Sequence, residues 1–166
     1  MIASLGLGSN VGERLLNLLK VVPKLEEIGI IVEKTSPIYE TSPMYNLNQD
    51  NFFNQVIKVN TDFDPEQLLK NVKQIELEMG RDLNSERNSE RIIDIDILAF
   101  EDLNYKSNIL NIPHPLLHER QFVLQPWNDI EPDYIVPEYE KTVNQLFSKL
   151  TQKENLSIVD HLEVTI

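Results

Sequence analysis

The chain has 166 residues and a formal net charge of −12, from 15 basic and 27 acidic side chains. That length suits one domain, the absence of cysteine excludes disulfides, thiol catalysis and zinc–thiolate sites, and a charge of this sign argues against nucleic acid as a partner. No apolar run nears the ~18 residues that span a bilayer, and the opening Met1-Ile2-Ala3-Ser4-Leu5 lacks the basic region of a signal peptide, so no membrane partner and a cytoplasmic location are expected.

Taken in order, Ile2 to Gly8 is apolar and ends in a Gly-Ser-Asn turn, which predicts a buried strand. Val11 to Ile28 carries Leu15, Leu18, Leu19, Val22 and Leu25 at helical spacing, with Gly29 as the stop. Ile30 to Tyr39 reads as a strand and Thr41 to Asn51, rich in Ser, Pro, Asn and Asp, as a loop. Phe53 to Thr61 alternates as a strand, placing Phe53, Gln55, Ile57 and Val59 on one face. Asp64-Pro65-Glu66-Gln67 is a helix start, and that helix runs to Met79 with Gly80 at its end. Ile92 to Phe100 is a strand, with a turn at Glu101-Asp102 and a short strand near Tyr105. Pro113 opens an irregular stretch that turns helical through Phe122 to Leu124, and Thr142 to Leu150 is a last short helix.

The order β-α-β-β-α-β predicts an α+β fold of the ferredoxin-like, split βαβ kind: an antiparallel sheet with helices on one face, plus C-terminal additions. One domain spans 1–166. Its tail, 151–166, is an edge strand or a mobile end and has no evident role.

The sharpest chemical feature is Ile93-Asp94-Ile95-Asp96-Ile97-Leu98. Period 2 puts both aspartates on one face, about 7 Å apart along the strand, and the isoleucines on the other. Like charges this close repel unless a cation lies between them, and hard oxygen ligands suit Mg²⁺. The bland reading is an exposed edge with two solvated carboxylates. Three of the five arginines, Arg81, Arg87 and Arg91, fall within eleven residues just before this strand. Arginine is the planar phosphate reader, so the cluster is either a local anion site or a solvated basic loop.

Glu76 falls on the buried stripe of its helix with Leu69, Val72 and Met79, so it is either a buried carboxylate partnered by a downstream arginine or a group at the rim. Phe52 and Asn54 share a strand face and would suit a flat heterocycle with a polar edge, or simply the core. His114, between Pro113 and Pro115 and near Arg120, fits anion contact better than a zinc pair with His118. Gly6-Leu7-Gly8-Ser9-Asn10-Val11-Gly12 is one residue too long for a dinucleotide loop and reads as a turn that approaches something closely.

The whole ordered set resembles the 6-hydroxymethyl-7,8-dihydropterin pyrophosphokinase family of folate biosynthesis. The likeness runs from Gly8-Ser9-Asn10 through Thr41-Ser42-Pro43, Phe52-Phe53-Asn54, Glu76, Gly80-Arg81 and Arg87 to Leu98, and closes with Pro113-His114-Pro115 and Arg120-Gln121-Phe122. The resemblance implies a ferredoxin-like fold and transfer of a pyrophosphoryl group from ATP to the pterin hydroxymethyl group, with AMP released. It implies two Mg²⁺ ions on Asp94 and Asp96, with Arg81, Arg91, Asp94 and Asp96 as the catalytic set. ATP contacts fall to Arg81, Arg87, Arg91, Ile97, His114 and Arg120. Pterin contacts fall to Gly8, Thr41, Pro43, Met44, Phe52, Asn54 and Phe122, and Glu76 becomes a support. ATP and the pterin are then the partners of a monomer. Leu83, Asn88 and Ser89 depart from the family pattern and bear on the 81–91 loop. Two other readings remain: another Mg²⁺-dependent nucleotidyl- or phosphotransferase, and a non-catalytic acidic binding module.

Overall fold

The computed structural model describes residues 1–45, 47–81, 84 and 90–159. The frame consists of β1 (Ile2–Ser9), α1 (Arg14–Glu27), β2 (Ile31–Thr35), β3 (Ile38–Thr41), β4 (Phe52–Asn60), α2 (Pro65–Glu78) and β5 (Asp94–Phe100). After it come β6 (Tyr105–Lys106), β7 (Asn111–Ile112), a 3₁₀ turn at Leu117–Glu119 and α3 (Gln121–Ile130). The chain closes with β8 (Ile135–Val136), β9 (Lys141–Thr142), α4 (Val143–Ser148) and β10 (Ser157–Val159).

The main sheet runs β10-β3-β4-β1-β5, with β2 also on β4, and its pairings are antiparallel. β1 lies at the centre because its residues are small or apolar and it is nearly all buried. Local signals set the helix ends. Asp64 and Gln67 form a reciprocal capping box with Pro65 in the first turn of α2, and Gly80 leaves that helix at φ +100°. Gly29, at φ +84°, ends α1, and the Ile30 N–H returns to the Leu25 carbonyl at 3.0 Å.

Four features differ from the sequence reading. The helices cover both faces of the sheet rather than one. One core joins Leu5, Leu18, Leu25, Ile57, Val72 and Ile95 beneath α1 and α2, and a second joins Val56, Leu98, Leu124, Trp127 and Val143 beneath α3 and α4. The strand expected over 30–39 is interrupted at Ser36-Pro37, and both halves pair with β4. Ser36 bridges the gap: its N–H reaches the Val56 carbonyl and its hydroxyl accepts from the Val56 N–H at 3.0 Å. The α3 helix continues past Leu124 to Ile130, and Val21 rather than Val22 is fully buried on α1. The tail forms β10, an outer strand on β3.

Candidate active site

Register across β4, β1 and β5 builds the floor of a cleft on the α3 side. Asn54 of β4 pairs with Gly8 of β1, which pairs with Asp94 of β5. Two residues along, Val56, Gly6 and Asp96 stand abreast in the same way. Directly paired residues share a face, so an amide and a carboxylate flank a bare glycine, about 10 Å apart over two strand spacings. The bareness matters. A Cβ on Gly8 would lie 3.2 Å from Asn54 Oδ1, and one on Gly6 would lie 3.3 Å from Leu98. The walls come from Arg120, Phe122 and Val123 at the start of α3, and from Arg91 just before β5. The rim comes from Thr41, Ser42, Met44, Tyr45 and Gln49.

One end of the cleft is aromatic and amide-bearing. Phe52 and Phe122 are half-buried, and Asn54 is buried with its Nδ2 donating to Thr41 Oγ1 at 2.5 Å. That bond fixes the amide and leaves its oxygen facing the Gly8 floor. Met44 is exposed at the rim, and Pro43 is buried but outside the lining. The Arg120 guanidinium lies 5.6 Å from the Tyr45 ring and 5.5 Å from the Phe122 ring, and it donates to the Tyr45 hydroxyl at 3.3 Å. Its Nε is buried and has no partner among the described residues. A buried N–H of this kind calls for an acceptor, which an anionic ligand in the cleft would supply.

The other end is charged. Burial, and then the Asp94 charge, push the Asp96 carboxyl up to about 6, while Lys73 and Arg120 pull it back. Glu76 is 1% exposed, pairs with Arg81, and accepts from Lys73 Nζ at 2.9 Å and from the Ile95 N–H at 2.7 Å. Lys73 also donates to the Ile95 carbonyl at 3.0 Å. α2 thereby covers the outward peptide groups of Ile95 on β5, a strand that among the described residues is paired by β1 alone. Arg81 reaches Asp94 at 3.3 Å and Lys73 stands 4.0 Å from it, so two cations steady the carboxylate nearer the edge.

Asn10 is the buried anchor of this end. Its side chain accepts from the Arg91 N–H at 2.7 Å and donates to Gln49 Oε1 at 2.8 Å, joining the approach to β5 to the 42–51 loop. His114 donates its N–H to the Leu98 carbonyl at 3.0 Å, and its Nδ1 accepts from the Leu116 N–H at 3.3 Å. Burial, reinforced by the Arg120 charge, lowers its imidazole to about 4, so the ring is neutral at pH 7 with its proton on Nε2.

The fold thus gathers Gly8, Thr41, Met44, Phe52, Asn54, Arg91, Asp94, Asp96, Arg120 and Phe122 around one cleft. Arg81 and Glu76 lie behind Asp94. The Ile97 side chain sits in the core on the α1–α2 side of β5, so only its backbone faces a ligand. Arg87 lies outside the described residues, as do Leu83, Asn88 and Ser89. Sequence reasoning passed over Lys73 and Tyr45, and read Gly6 as part of a close-approaching turn where the structure has it inside β1. Lys73 was discernible three residues before Glu76, and Gly6 as the second glycine at strand period. Tyr45 carried no signal, because only the folded loop brings it to Arg120.

The comparisons with known proteins agree with one another. Residues 4–132 match the family model described as 7,8-dihydro-6-hydroxymethylpterin-pyrophosphokinase. The chain is 43% identical over 155 residues to the folic acid synthesis protein FOL1 of Dictyostelium discoideum, covering 93% of this chain and 23% of that protein. It is 41% identical over 149 residues to the 2-amino-4-hydroxy-6-hydroxymethyldihydropteridine pyrophosphokinase of Aquifex aeolicus, covering 90% and 92% of the two. A crystal structure of wild-type Plasmodium falciparum HPPK-DHPS with pteroate superimposes with a TM-score of 0.72 at 22% identity, over 89% of this chain and 42% of that one, and shares the fold. With the family model spanning the cleft and a relative of nearly equal length matching over 90% of this chain, the chain belongs to the 7,8-dihydro-6-hydroxymethylpterin-pyrophosphokinase family.

Proposed function

We propose that this cleft transfers the β,γ-pyrophosphoryl group of ATP to the hydroxymethyl oxygen of 6-hydroxymethyl-7,8-dihydropterin, in folate biosynthesis. The observation that carries the proposal is the Asn54–Gly8–Asp94 register. It sets a heterocycle-reading amide and a phosphate-side carboxylate on one floor, one small molecule apart. The pterin hydroxyl attacks Pβ, the bond from Pβ to the bridging oxygen of the α-phosphate breaks, and AMP leaves with that oxygen. The hydroxyl proton passes to solvent or to a cleft carboxylate.

Asp94 and Asp96 would hold Mg²⁺, two ions by analogy with the family. They fit it: the two carboxylates share one face of β5, and Mg²⁺ takes only one or two carboxylates beside substrate phosphates. The Asp96 carboxyl, raised first by burial and then by the Asp94 charge, would be drawn back down by a cation between the two. When bound, the metal supplies neutralisation of the triphosphate and polarisation at phosphorus. The chain's own groups do the rest. Arg91 and Arg120 face the cleft and stabilise charge on phosphate oxygens, Arg81 steadies Asp94, and neutral His114 offers an Nε2–H. Phe52 and Phe122 bind the pterin ring, and Asn54, held by Thr41, reads its edge. Gly8 and Met44 complete the pocket, with Pro43 buried behind its rim, and Arg87 joins the ATP contacts.

The strand order β3-β4-β1-β5 supports a ferredoxin-like, split βαβ frame within one domain over 1–166. We place the protein in the cytoplasm with its ATP, acting as a monomer. No helix among the described residues is long and apolar enough to cross a membrane.

The test is a coupled AMP assay with the pterin alcohol, with and without Mg²⁺. AMP release that needs both pterin and Mg²⁺ is expected, and Asp94→Ala should cut turnover by at least ~10³-fold with the fold intact. ADP as product, or nucleotide attached to the acceptor, would indicate a different transferase. A loss under ten-fold would count against the carboxylate's role.

A further inference from the structure

We propose that Gln121 is a positioning residue that uses the segment 151–159 to brace the pterin-binding end of the cleft; this rests on the pyrophosphokinase reading. Gln121 opens α3 between Arg120 and Phe122, both of which line the cleft. Its Nε2 donates to the Glu154 carbonyl at 2.7 Å, and its Oε1 accepts from the Glu154 N–H at 2.8 Å. The side-chain amide therefore grips one residue's backbone through both of its polar groups. A further bond to Gln125 Oε1 at 2.8 Å holds the amide on the helix.

The grip stands where a cap is lacking. Arg120, at the N-cap, makes no side-chain bond to the first turn of α3. The turn that carries Phe122 is tied down through Gln121 instead. Beyond Glu154 the chain reaches the sheet edge, where Ser157, Ile158 and Val159 pair with Glu40, Tyr39 and Ile38 of β3. β3 ends at Thr41, the residue that fixes the Asn54 amide. One short segment thus connects the helix that presents Phe122 to the strand that orients Asn54. It lies beyond residue 132, where the family match stops. A tail that merely covers an open strand edge would change stability and nothing else.

The experiment compares full-length Gln121→Ala and Gln121→Glu with Asn128→Ala, which breaks a bond from α3 to Asn144 away from the cleft. KM for the pterin and for ATP, kcat, and amide hydrogen exchange are measured for each. Gln121→Ala should raise KM for the pterin roughly five- to ten-fold, the scale of one or two lost neutral hydrogen bonds, with kcat and KM for ATP within about two-fold. It should also speed exchange at Glu154 and along Tyr39–Thr41. Gln121→Glu keeps the acceptor half of the grip but sets a carboxylate oxygen against the Glu154 carbonyl, so it should raise KM for the pterin at least as much. Asn128→Ala should leave both KM values alone. Equal changes in the two KM values, or a fall in Tm with neither moving, would overturn the brace. If the wild-type protein releases no AMP, the reading of the cleft fails on its own. The brace is then judged by exchange along Tyr39–Thr41, where unchanged protection in Gln121→Ala would end it.

Discussion

Glu76 is an acid on the apolar stripe of α2, and its surroundings explain why it is tolerated there. A buried carboxylate is costly unless its oxygens are engaged, and here Arg81, Lys73 and the Ile95 N–H engage them. Glu76→Gln keeps an acceptor for Ile95 but leaves Asp94 as the remaining counter-charge for both Lys73 and Arg81. Because Lys73 and Arg81 are partly exposed, the loss should be roughly 2 kcal/mol, below that for a fully buried pair. Denaturant unfolding measures it, and a change within about 0.5 kcal/mol would mean that the carboxylate contributes no more than a surface group. The inward position of Glu76 was legible from helical periodicity, and Arg81 stood nearby in sequence. Lys73 stood three residues before Glu76 but went unread, because a lysine on an amphipathic helix reads as solvated until the neighbouring strand is in place.

At the scale of elements, legibility followed local chemistry. The capping box at Asp64 and Gln67 and the turn glycines Gly29 and Gly80 are short-range signals, and the helix ends fall where they point. Pro126 misleads in the other direction. It removes a helical donor and argues for a stop near Leu124, yet α3 continues because Trp127 is fully buried against the sheet and apolar burial outweighs one lost bond. The second helical layer was hidden for the same reason: nothing local in residues 121–148 states which face of the sheet they will cover. Ser36-Pro37 had a local sign in the proline, which disfavours an uninterrupted strand. In the site, residue types and spacing pointed to Asp94, Asp96, Phe52 and Asn54. Their meeting across Gly6 and Gly8 is a matter of register, which belongs to the paired strands and not to any one of them.

For the molecule as a whole, a charge of −12 repels a polyphosphate everywhere except where cations gather. Arg91 and Arg120 line the cleft, with Arg81 and Lys73 behind Asp94. The same concentration of cations, with burial, shapes the response to acid. His114 titrates near 4 in the folded chain against 6.5 when exposed. As pH falls through that window the unfolded chain takes up the proton first, so the folded state loses stability. Asp96 acts oppositely, since its raised carboxyl binds a proton between about 6 and 3.8 while the unfolded group does not. Comparing His114→Asn with wild type isolates the histidine. The fall in unfolding free energy from pH 7 to pH 4.5 should be shallower in the variant by roughly 1–2 kcal/mol, allowing for partial exposure of the ring. Parallel falls would show that the imidazole is not held neutral.

The seat for substrate exists because two positions in the most enclosed strand carry no side chain. A single methyl at Gly8 would press on Asn54 without asking the backbone for a forbidden conformation, since φ there is not positive. Gly8→Ala should therefore fold and accumulate as the native chain does, with Tm within about 3 °C, and yet bind pterin at least ~10-fold more weakly. Paired melting and binding curves would reveal it, and a parallel drop in both would refute it. Such a lesion is silent to any screen that reads abundance: the chain can lose its purpose by gaining one carbon and two hydrogens, and still look healthy.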